Sequence, residues 1–287
     1  MNFENSDKLK AYLKKESKRL GVSIQNTYNT FFSRVLLERI SRMSYDKLFV
    51  KGSFSELAHL NDMIRPITDI DLVSTEYHND PLITLYRAMY VEGEPLFYEL
   101  SDLPKRTKTG IYKINIIANF DRIKHPISID FQELSNVIYE KDYKRIDPIF
   151  TGDHHFYIWT PSFEEHLAEK MCIVVESNKE NVLNTRVKDF YDIYKLCGGK
   201  YDKEKLSYFF YHMIKDRKKI DVGSASVSHL TNEYIENHRE LWHAMSKKYE
   251  FMDKTVEFDE SVDFTKELIS KEIENLDKSS KIKIKLR

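Results

Sequence analysis

Cysteine is scarce in this sequence, and its scarcity excludes two ways of stabilising a small fold. The chain has 287 residues and two cysteines, Cys172 and Cys197, which form no CxxC pair. Neither a disulfide framework nor a structural zinc site is therefore expected. Free thiols suit a reducing compartment, so we expect a cytoplasmic protein.

Long apolar runs and an excess of one charge are also missing. No run approaches the roughly 18 apolar residues of a membrane span, and the N-terminal MNFENSDKLKAYLKK is charged from the start. Neither a transmembrane helix nor a signal peptide is predicted. The 45 Lys and Arg residues balance the 46 Asp and Glu residues to a net charge of −1. Any nucleic-acid site must therefore be a local patch.

The apolar pattern changes character along the chain. Up to about residue 158, strand-like runs such as GIYKINIIANF and HPISIDFQEL alternate with helical ones such as SDKLKAYLKKESKRLG, for which Ser6 is the expected N-cap and Gly21 the expected end. Beyond that point helical periodicity dominates, as in SFEEHLAEKMCIVVES. We predict an α+β fold with two domains, a mixed-sheet domain over residues 1–158 and a helical domain over residues 159–287.

Two aspartates stand one residue apart in the stretch KGSFSELAHLNDMIRPITDIDLVS, residues 51–74. Strand side chains alternate, so Asp69 and Asp71 are expected on one face and Ile70 on the other. Two carboxylates this close repel each other unless a cation neutralises them, and Mg²⁺ prefers such oxygen ligands.

A third carboxylate follows the same alternation in ISIDFQ, where Asp130 is expected to point away from Ile129. Three carboxylates would hold two metal ions about 4 Å apart, which activate an attacking hydroxyl and stabilise a leaving pyrophosphate. The turn at Gly52 and Ser53 lets backbone N–H groups approach a phosphate. Each piece alone is common in ordinary turns and strand ends, and only their order along the chain indicates a site.

This order resembles the nucleotidyltransferase fold of the DNA polymerase β superfamily. More narrowly, RPITDIDL followed by EEHLAEKM and TRVKDFYDIYKL resembles the AbiEii toxin nucleotidyltransferases, the toxin halves of AbiE-type phage-defence and toxin–antitoxin systems. The resemblance covers roughly residues 45–197. It implies a polymerase β-like nucleotidyltransferase domain with a mixed sheet, followed by a helical C-terminal domain.

The resemblance also implies roles for residues of the C-terminal part. A lysine on one helix, Lys170, and a segment on the next, Lys188, Asp189 and Asp192, would face the carboxylates. Lys170 would neutralise the triphosphate, and Asp189 would position the nucleotide or Lys170. Otherwise Lys170 is a solvated lysine, and the two aspartates merely favour a helix N-terminus.

The implied function is transfer of NMP from an NTP to an acceptor hydroxyl. Asp69, Asp71 and Asp130 would be the metal ligands for two Mg²⁺ ions, and Gly52, Ser53, Lys170 and Asp189 would bind the nucleotide. The acceptor would be RNA, tRNA in particular, and a cognate antitoxin would be encoded alongside. Two alternatives stay open, an enzyme of the same fold that modifies a protein or a small molecule, and a non-catalytic nucleic-acid-binding module.

A basic segment at residues 105–125 is the best candidate for holding RNA. It carries six cations (Lys105, Arg106, Lys108, Lys113, Arg122 and Lys124) against one acid, Asp121. Such patches are more often solvated faces, but in an enzyme acting on RNA they hold phosphates.

Overall fold

The structure is a computed structural model that describes residues 3–43, 48–74, 81–108, 110–133, 140–177, 186–217, 222–249 and 252–282. It divides into two compact units, Met1–Pro161 and Ser162–Arg287.

A six-stranded sheet forms the centre of the first unit. Its strands are β1 (Leu48–Lys51), β2 (Asp69–Ser74), β3 (Leu96–Leu100), β4 (Lys105–Arg106), β5 (Ile111–Phe120) and β6 (Ile123–Glu133). The order is β1-β2-β6-β5-β3, with β4 also paired to β5. The β2–β6 pair is parallel and the others are antiparallel, so the mixed sheet predicted from the sequence is confirmed.

Four helices accompany this sheet: α1 (Ser6–Leu20), α2 (Ile24–Arg42), α3 (Gly52–Leu60) and α4 (Pro81–Met89). The N-cap of α1 is Asn5, whose side chain accepts a hydrogen bond from the backbone N–H of Lys8 at 3.1 Å. The expectation that Ser6 caps this helix is therefore wrong by one residue. Gly21 ends the helix in the left-handed conformation, with φ at 66°, as a C-terminal glycine should.

The main core lies on one face of the sheet. Ile70 and Leu72 on β2 and Ile129 and Phe131 on β6 are buried there, and α2 packs across both strands. Alternation along the strands sends the intervening side chains to the opposite face. That face carries the candidate site.

A second, two-stranded antiparallel sheet completes the unit, formed by β7 (Lys141–Ile146) and β8 (Phe156–Pro161). Its inner face contributes Ile146, Phe156 and Ile158 to the main core.

The described residues of the second unit form helices and one short 3₁₀ turn, Val222–Ser224. The helices are α5 (Phe163–Ser177), α6 (Val187–Cys197), α7 (Lys203–Asp216), α8 (Asn232–Lys248), α9 (Phe258–Glu274) and α10 (Leu276–Ser279). α5 packs against α7, and α6 packs against both α8 and α9. In the described part of the chain, every helix is too short or too polar to cross a membrane.

Candidate active site

Three aspartates share the polar face of the sheet. In the parallel register of β2 and β6, Asp71 lies directly beside Asp130, and Asp69 lies beside Ser128. All three carboxylates are half-buried, while the alternating Ile70 and Ile129 are buried on the core face. The structure therefore brings together the residues predicted as metal ligands, and it does so by pairing strands more than fifty residues apart in the chain.

Lys113, which the sequence indicated only as part of the basic segment, joins this group from β5. It lies opposite Asp130 in the antiparallel register, and its Nζ donates to Oδ1 and Oδ2 of Asp130 at 3.0 and 3.1 Å. One signal in the sequence points to this pair. A two-residue turn at Asp121 and Arg122 joins β5 to β6, and the register that it sets places Lys113 opposite Asp130.

Gly52 lies against the carboxylate of Asp71. Its φ of 60° is left-handed, and a Cβ added there would come within 1.9 Å of Asp71 Oδ2. Glycine is required on both counts, because any side chain would be strained and would displace the carboxylate. The Gly–Ser turn and the aspartates are therefore parts of one packed arrangement, with Gly52 as the first residue of α3.

Ser53 is fixed by an arginine that sequence analysis missed. Arg65 Nη1 donates to Ser53 Oγ at 2.7 Å, and both side chains are buried. Arg65 also pairs with Glu56 at 3.4 Å. Because a guanidinium can only donate, Ser53 accepts this bond and keeps its own hydroxyl proton for another acceptor. A phosphate oxygen near the start of α3 would be such an acceptor.

The aspartates suit a hard cation such as Mg²⁺, because they offer carboxylate oxygens from one face of adjacent strands. Among the residues that the structure describes, no three His, Cys, Asp or Glu side chains already stand in a metal-binding arrangement. The carboxylate of Asp130 is instead bonded to Lys113. The donor chemistry and the shared face fit magnesium, and closure of the three ligands around an ion stays a prediction.

The second unit holds a buried ionic cluster around Lys170 of α5. Lys170 Nζ donates to Asp192 Oδ2 at 2.7 Å and lies 3.7 Å from Asp189 Oδ1. The side chains of Lys170, Asp189 and Asp192 are all buried, so the alternative that Lys170 is a solvated lysine is wrong. The nearer partner of Lys170 is Asp192. The structure thus joins the predicted lysine and aspartates, while their facing towards Asp69 and Asp71 stays a prediction.

Arg186 completes this cluster, and it too was not singled out from the sequence. Its Nε lies 2.7 Å from Asp189 Oδ2. Asp189 also lies in the first turn of α6, where the helix dipole favours an anion, so that part of the alternative interpretation holds. Lys188 is on α6 beside it. The described contacts of this cluster pair two cations with two aspartates inside the protein.

A cavity of about 550 Å³ in the first unit contains none of the predicted site residues. Two of its arginines are held by internal ion pairs, Arg34 with Glu38 at 3.0 Å and Arg39 with Glu94 at 2.6 Å. These ion pairs hold the lining of the cavity together around α2, so we interpret the cavity as structural.

The basic segment at residues 105–125 is partly neutralised. Lys105 pairs with Asp102 at 2.7 Å, Lys113 with Asp130, and Arg122 with Asp7 at 2.8 Å. Arg106 lies over the ring of Tyr112. The role of this segment in holding RNA stays a prediction. Its net positive charge is weaker than the sequence indicates, because several of its cations are paired with carboxylates.

Two solved structures from Helicobacter pylori are similar to this chain. JHP933 superposes with a TM-score of 0.53 over 90% of this chain and 96% of its own, at 13% identity. A candidate nucleotidyltransferase superposes with a TM-score of 0.53 over 90% of this chain and 98% of its own, also at 13% identity. At this identity the likeness shows the fold alone. No curated protein matches the chain at a significant level.

Sequence comparison with protein families is more specific than this likeness of fold. A family model described as nucleotidyl transferase AbiEii toxin, type IV toxin–antitoxin system, matches residues 35–264. The match includes α3, β2, β6, α5 and α6, which carry every residue predicted for the site. Because it spans most of the chain, this protein belongs to the AbiEii family of nucleotidyltransferase toxins.

Proposed function

We propose that this nucleotidyltransferase moves an NMP group from an NTP to a hydroxyl of RNA, tRNA in particular. One observation carries the proposal. Asp71 and Asp130 lie side by side on neighbouring strands, with Asp69 on the same face and Gly52 against Asp71. Like charges are gathered there around the start of α3, an arrangement suited to a cation and a triphosphate.

In this proposal Asp69, Asp71 and Asp130 hold magnesium, two ions in the full site. The metal supplies charge neutralisation for the leaving pyrophosphate and a more nucleophilic acceptor oxygen. The acceptor oxygen bonds to the α-phosphorus while the bond from that phosphorus to the β-phosphate oxygen breaks. The hydroxyl proton passes to the carboxylate of Asp130, to which Lys113 Nζ donates at 3.0 and 3.1 Å.

Binding of the triphosphate falls to the first turn of α3. Backbone N–H groups there have no partner within the helix and suit phosphate oxygens. Ser53 adds its hydroxyl proton, and its bond from Arg65 holds the side chain in place. Gly52 allows the close approach because it has no side chain.

Lys170 would neutralise charge on the triphosphate. Asp192 and Asp189 would hold its ammonium group in position, at 2.7 and 3.7 Å. Asp189 would in turn be oriented by Arg186. In this assignment residues 1–158 form the nucleotidyltransferase domain and residues 159–287 the helical domain.

The biological setting proposed is a cytoplasmic toxin with an antitoxin partner encoded alongside, acting in toxin–antitoxin or phage-defence systems. The family supports the antitoxin and the NTP substrate in general terms.

The test is incubation of the protein with each labelled NTP, Mg²⁺ and total RNA, followed by separation of RNA, protein and small molecules. Label in the RNA fraction that disappears with EDTA supports the proposal. Label confined to the protein or small-molecule fraction would instead identify another acceptor class. No labelled product from any NTP would contradict the proposed transfer.

A further inference from the structure

The outer face of the β7–β8 sheet carries a row of aromatic rings. Tyr143 lies opposite Trp159 in the register, with ring centroids 4.8 Å apart. Tyr143 also stacks on Tyr157, with ring centroids 5.2 Å apart and an interplanar angle of 20°. Burial of such rings is normal in a protein, yet Tyr143 is 53% exposed and Tyr157 is 38% exposed. The row is therefore open to a ligand.

Cations border this row on the same face. Lys141 and Arg145 alternate with Tyr143 along β7, and Lys141 Nζ lies 5.0 Å from the centre of the Trp159 ring. Arg145 is half-exposed and pairs with Asp147 at 2.6 Å. Within these two fully described strands, the outer face carries no carboxylate, since Asp142 belongs to the inner set of the alternation. The face is thus aromatic and carries two cations, one of which is paired with Asp147.

A rigid base supports the rings. Ile146, Phe156 and Ile158 anchor the inner face of the same two strands in the main core. Aromatic pairs across strands also stabilise a hairpin, and that contribution alone would explain their contacts with each other. It does not explain the exposure of two tyrosines together with a cation at the edge of the row.

We propose that the outer face of β7–β8 binds single-stranded RNA, with bases stacked on Tyr143, Tyr157 and Trp159 and phosphates held by Lys141 and Arg145. Exposed rings on a sheet are suited to unstacked bases, because every base offers a π-face, and neighbouring cations track the backbone. The inference rests on the proposed RNA acceptor and names the surface that would hold it. A double-stranded RNA hides its bases and binds this face weakly.

The fluorescence of Trp159 reports occupation of the face directly. The chain has two tryptophans, and Trp242 is only 4% exposed in the second unit. In a Trp242→Phe background, titration with a single-stranded RNA of about ten nucleotides is expected to quench Trp159. A duplex of equal length is expected to quench it much less. Absence of quenching by the single strand at saturating concentration would overturn the proposal.

Substitutions of Tyr143 distinguish a loss of base stacking from a loss of folding. Tyr143→Ala is expected to weaken RNA binding by about five- to 150-fold, the cost of one lost stacking contact. Tyr143→Phe keeps the ring and is expected to bind as the parent does. Tyr90→Ala is the matched control, because it removes a tyrosine that is 67% exposed elsewhere in the first unit. Equal binding by Tyr143→Ala and the parent would overturn the proposal and leave the face to protein contacts.

If Tyr143→Ala does not fold, a second test substitutes only the cations and leaves every aromatic ring in place. Lys141→Ala with Arg145→Ala is expected to lower the salt dependence of binding, by a slope of about 0.7 for each lost phosphate contact to a single strand. The double change Arg106→Ala and Lys108→Ala tests the basic segment in the same assay. If only the latter pair lowers the slope, RNA lies on that segment and the β7–β8 proposal is wrong.

Failure of this proposal is distinguishable from failure of the proposed chemistry. Asp71→Asn is expected to bind RNA normally and transfer no NMP. Tyr143→Ala is expected to bind NTP normally and RNA poorly. Transfer that survives Asp71→Asn contradicts the chemistry and leaves the RNA surface standing.

Discussion

The two groups of aspartates in this protein are chemically alike and lie in opposite surroundings. On the sheet of the first unit, Asp69, Asp71 and Asp130 are half-buried, and the ion pair described for them is that of Asp130 with Lys113. On α6 of the second unit, Asp189 and Asp192 are buried and share two cations. The first group is half-buried on one face of the sheet, where a metal ion can reach it, whereas the second is buried together with its cations.

This contrast suggests that the aspartates of the sheet bind a metal ion and that the aspartates of α6 hold Lys170 in position. Burying an ion pair costs solvation free energy that the attraction between the charges only partly offsets. A buried pair therefore acts mainly by fixing the positions of its side chains. Half-buried carboxylates on one face of a sheet carry less of that cost and stay accessible to a metal ion. Substitutions in the first group should therefore change activity, and substitutions in the second group should change stability as well.

The largest effect is expected from Asp71→Asn. Loss of a charged ligand at the centre of the carboxylate group should lower NMP transfer by about a thousandfold or more. The free energy of unfolding should change little, because asparagine keeps the size of a side chain that is only half-buried. Label transfer and urea unfolding measure the two effects. Asp62→Asn, at an exposed position before β2, is the control. Transfer at the parent rate in Asp71→Asn would show that the contrast is wrong.

Lys170→Met should destabilise the protein by about 3–5 kcal/mol, because it leaves buried carboxylates without their shared cation. Lys195→Met is the matched control on α6, since Lys195 pairs with Asp253 at 3.3 Å where both side chains are partly exposed. That change should cost about 1 kcal/mol or less.

Urea unfolding measures both lysine variants. Combining Lys170→Met with Asp192→Asn should restore part of the loss, because one uncompensated charge is removed. If Lys170→Met and Lys195→Met cost the same, the burial of the cluster has no energetic consequence and the contrast with the sheet fails.

Gly52→Ala tests whether the sheet aspartates need their glycine. A left-handed alanine costs about 1–2 kcal/mol anywhere. At position 52 it also displaces the Asp71 carboxylate, so we expect NMP transfer to fall by about ten- to a hundredfold in addition. Gly93→Ala carries the same backbone cost at a φ of 79° with no atom within 4 Å of the added carbon. Equal transfer by the two variants would show that the contact with Asp71 is unimportant.

The smallest effect is expected for the change in the free energy of unfolding per unit of pH. One buried histidine in each unit allows the two units to be compared. Burial lowers the pKa of His125 in the first unit and of His229 in the second to about 4. A histidine that is neutral when folded and ionises when unfolded stabilises the protein above its ordinary pKa of 6.5. That stability is lost as the pH falls from about 6.5 towards 4.

Each histidine contributes a slope of at most about 1.4 kcal/mol per pH unit in that window. His125→Gln and His229→Gln should each flatten the acid side of the stability profile, measured by urea unfolding at several pH values. An unchanged slope in His125→Gln would mean that its ring is already solvated, despite its stacking on Phe32.

Local patterns in the sequence predicted much of the fold and of the site. Alternation placed Asp130 on the face of Asp69 and Asp71, and helical periodicity located α5 and α6, which carry Lys170 and Asp189. These features depend on residues close in the chain. The parallel pairing of β2 with β6 does not, so alternation and metal chemistry indicated a third carboxylate on a neighbouring strand without giving the register of Asp71 with Asp130.

Other features escaped for identifiable physical reasons. β7 has the sequence KDYKRI, whose inner face begins with Asp142 and Lys144, so no apolar alternation marks it. Of the two aspartates on α6, Asp192 lies nearer to Lys170 than Asp189, because its position three residues later on the helix brings its carboxylate closer. Arg65 lies in the loop between α3 and β2, where no hydrophobic periodicity could have predicted its contact with Ser53. Such side-chain pairings depend on packing between elements.

The contact between Gly52 and Asp71 also constrains how this sequence can diverge. The two positions are coupled, since the space that a Cβ would need at 52 is filled by the carboxylate at 71. In a double-mutant cycle, Gly52→Ala should be costly with Asp71 present and milder once Asp71 is shortened to Ser. Substitutions would therefore accumulate in a preferred order, with position 71 changing first. A descendant that had lost its catalytic aspartate could then replace the glycine at little further cost.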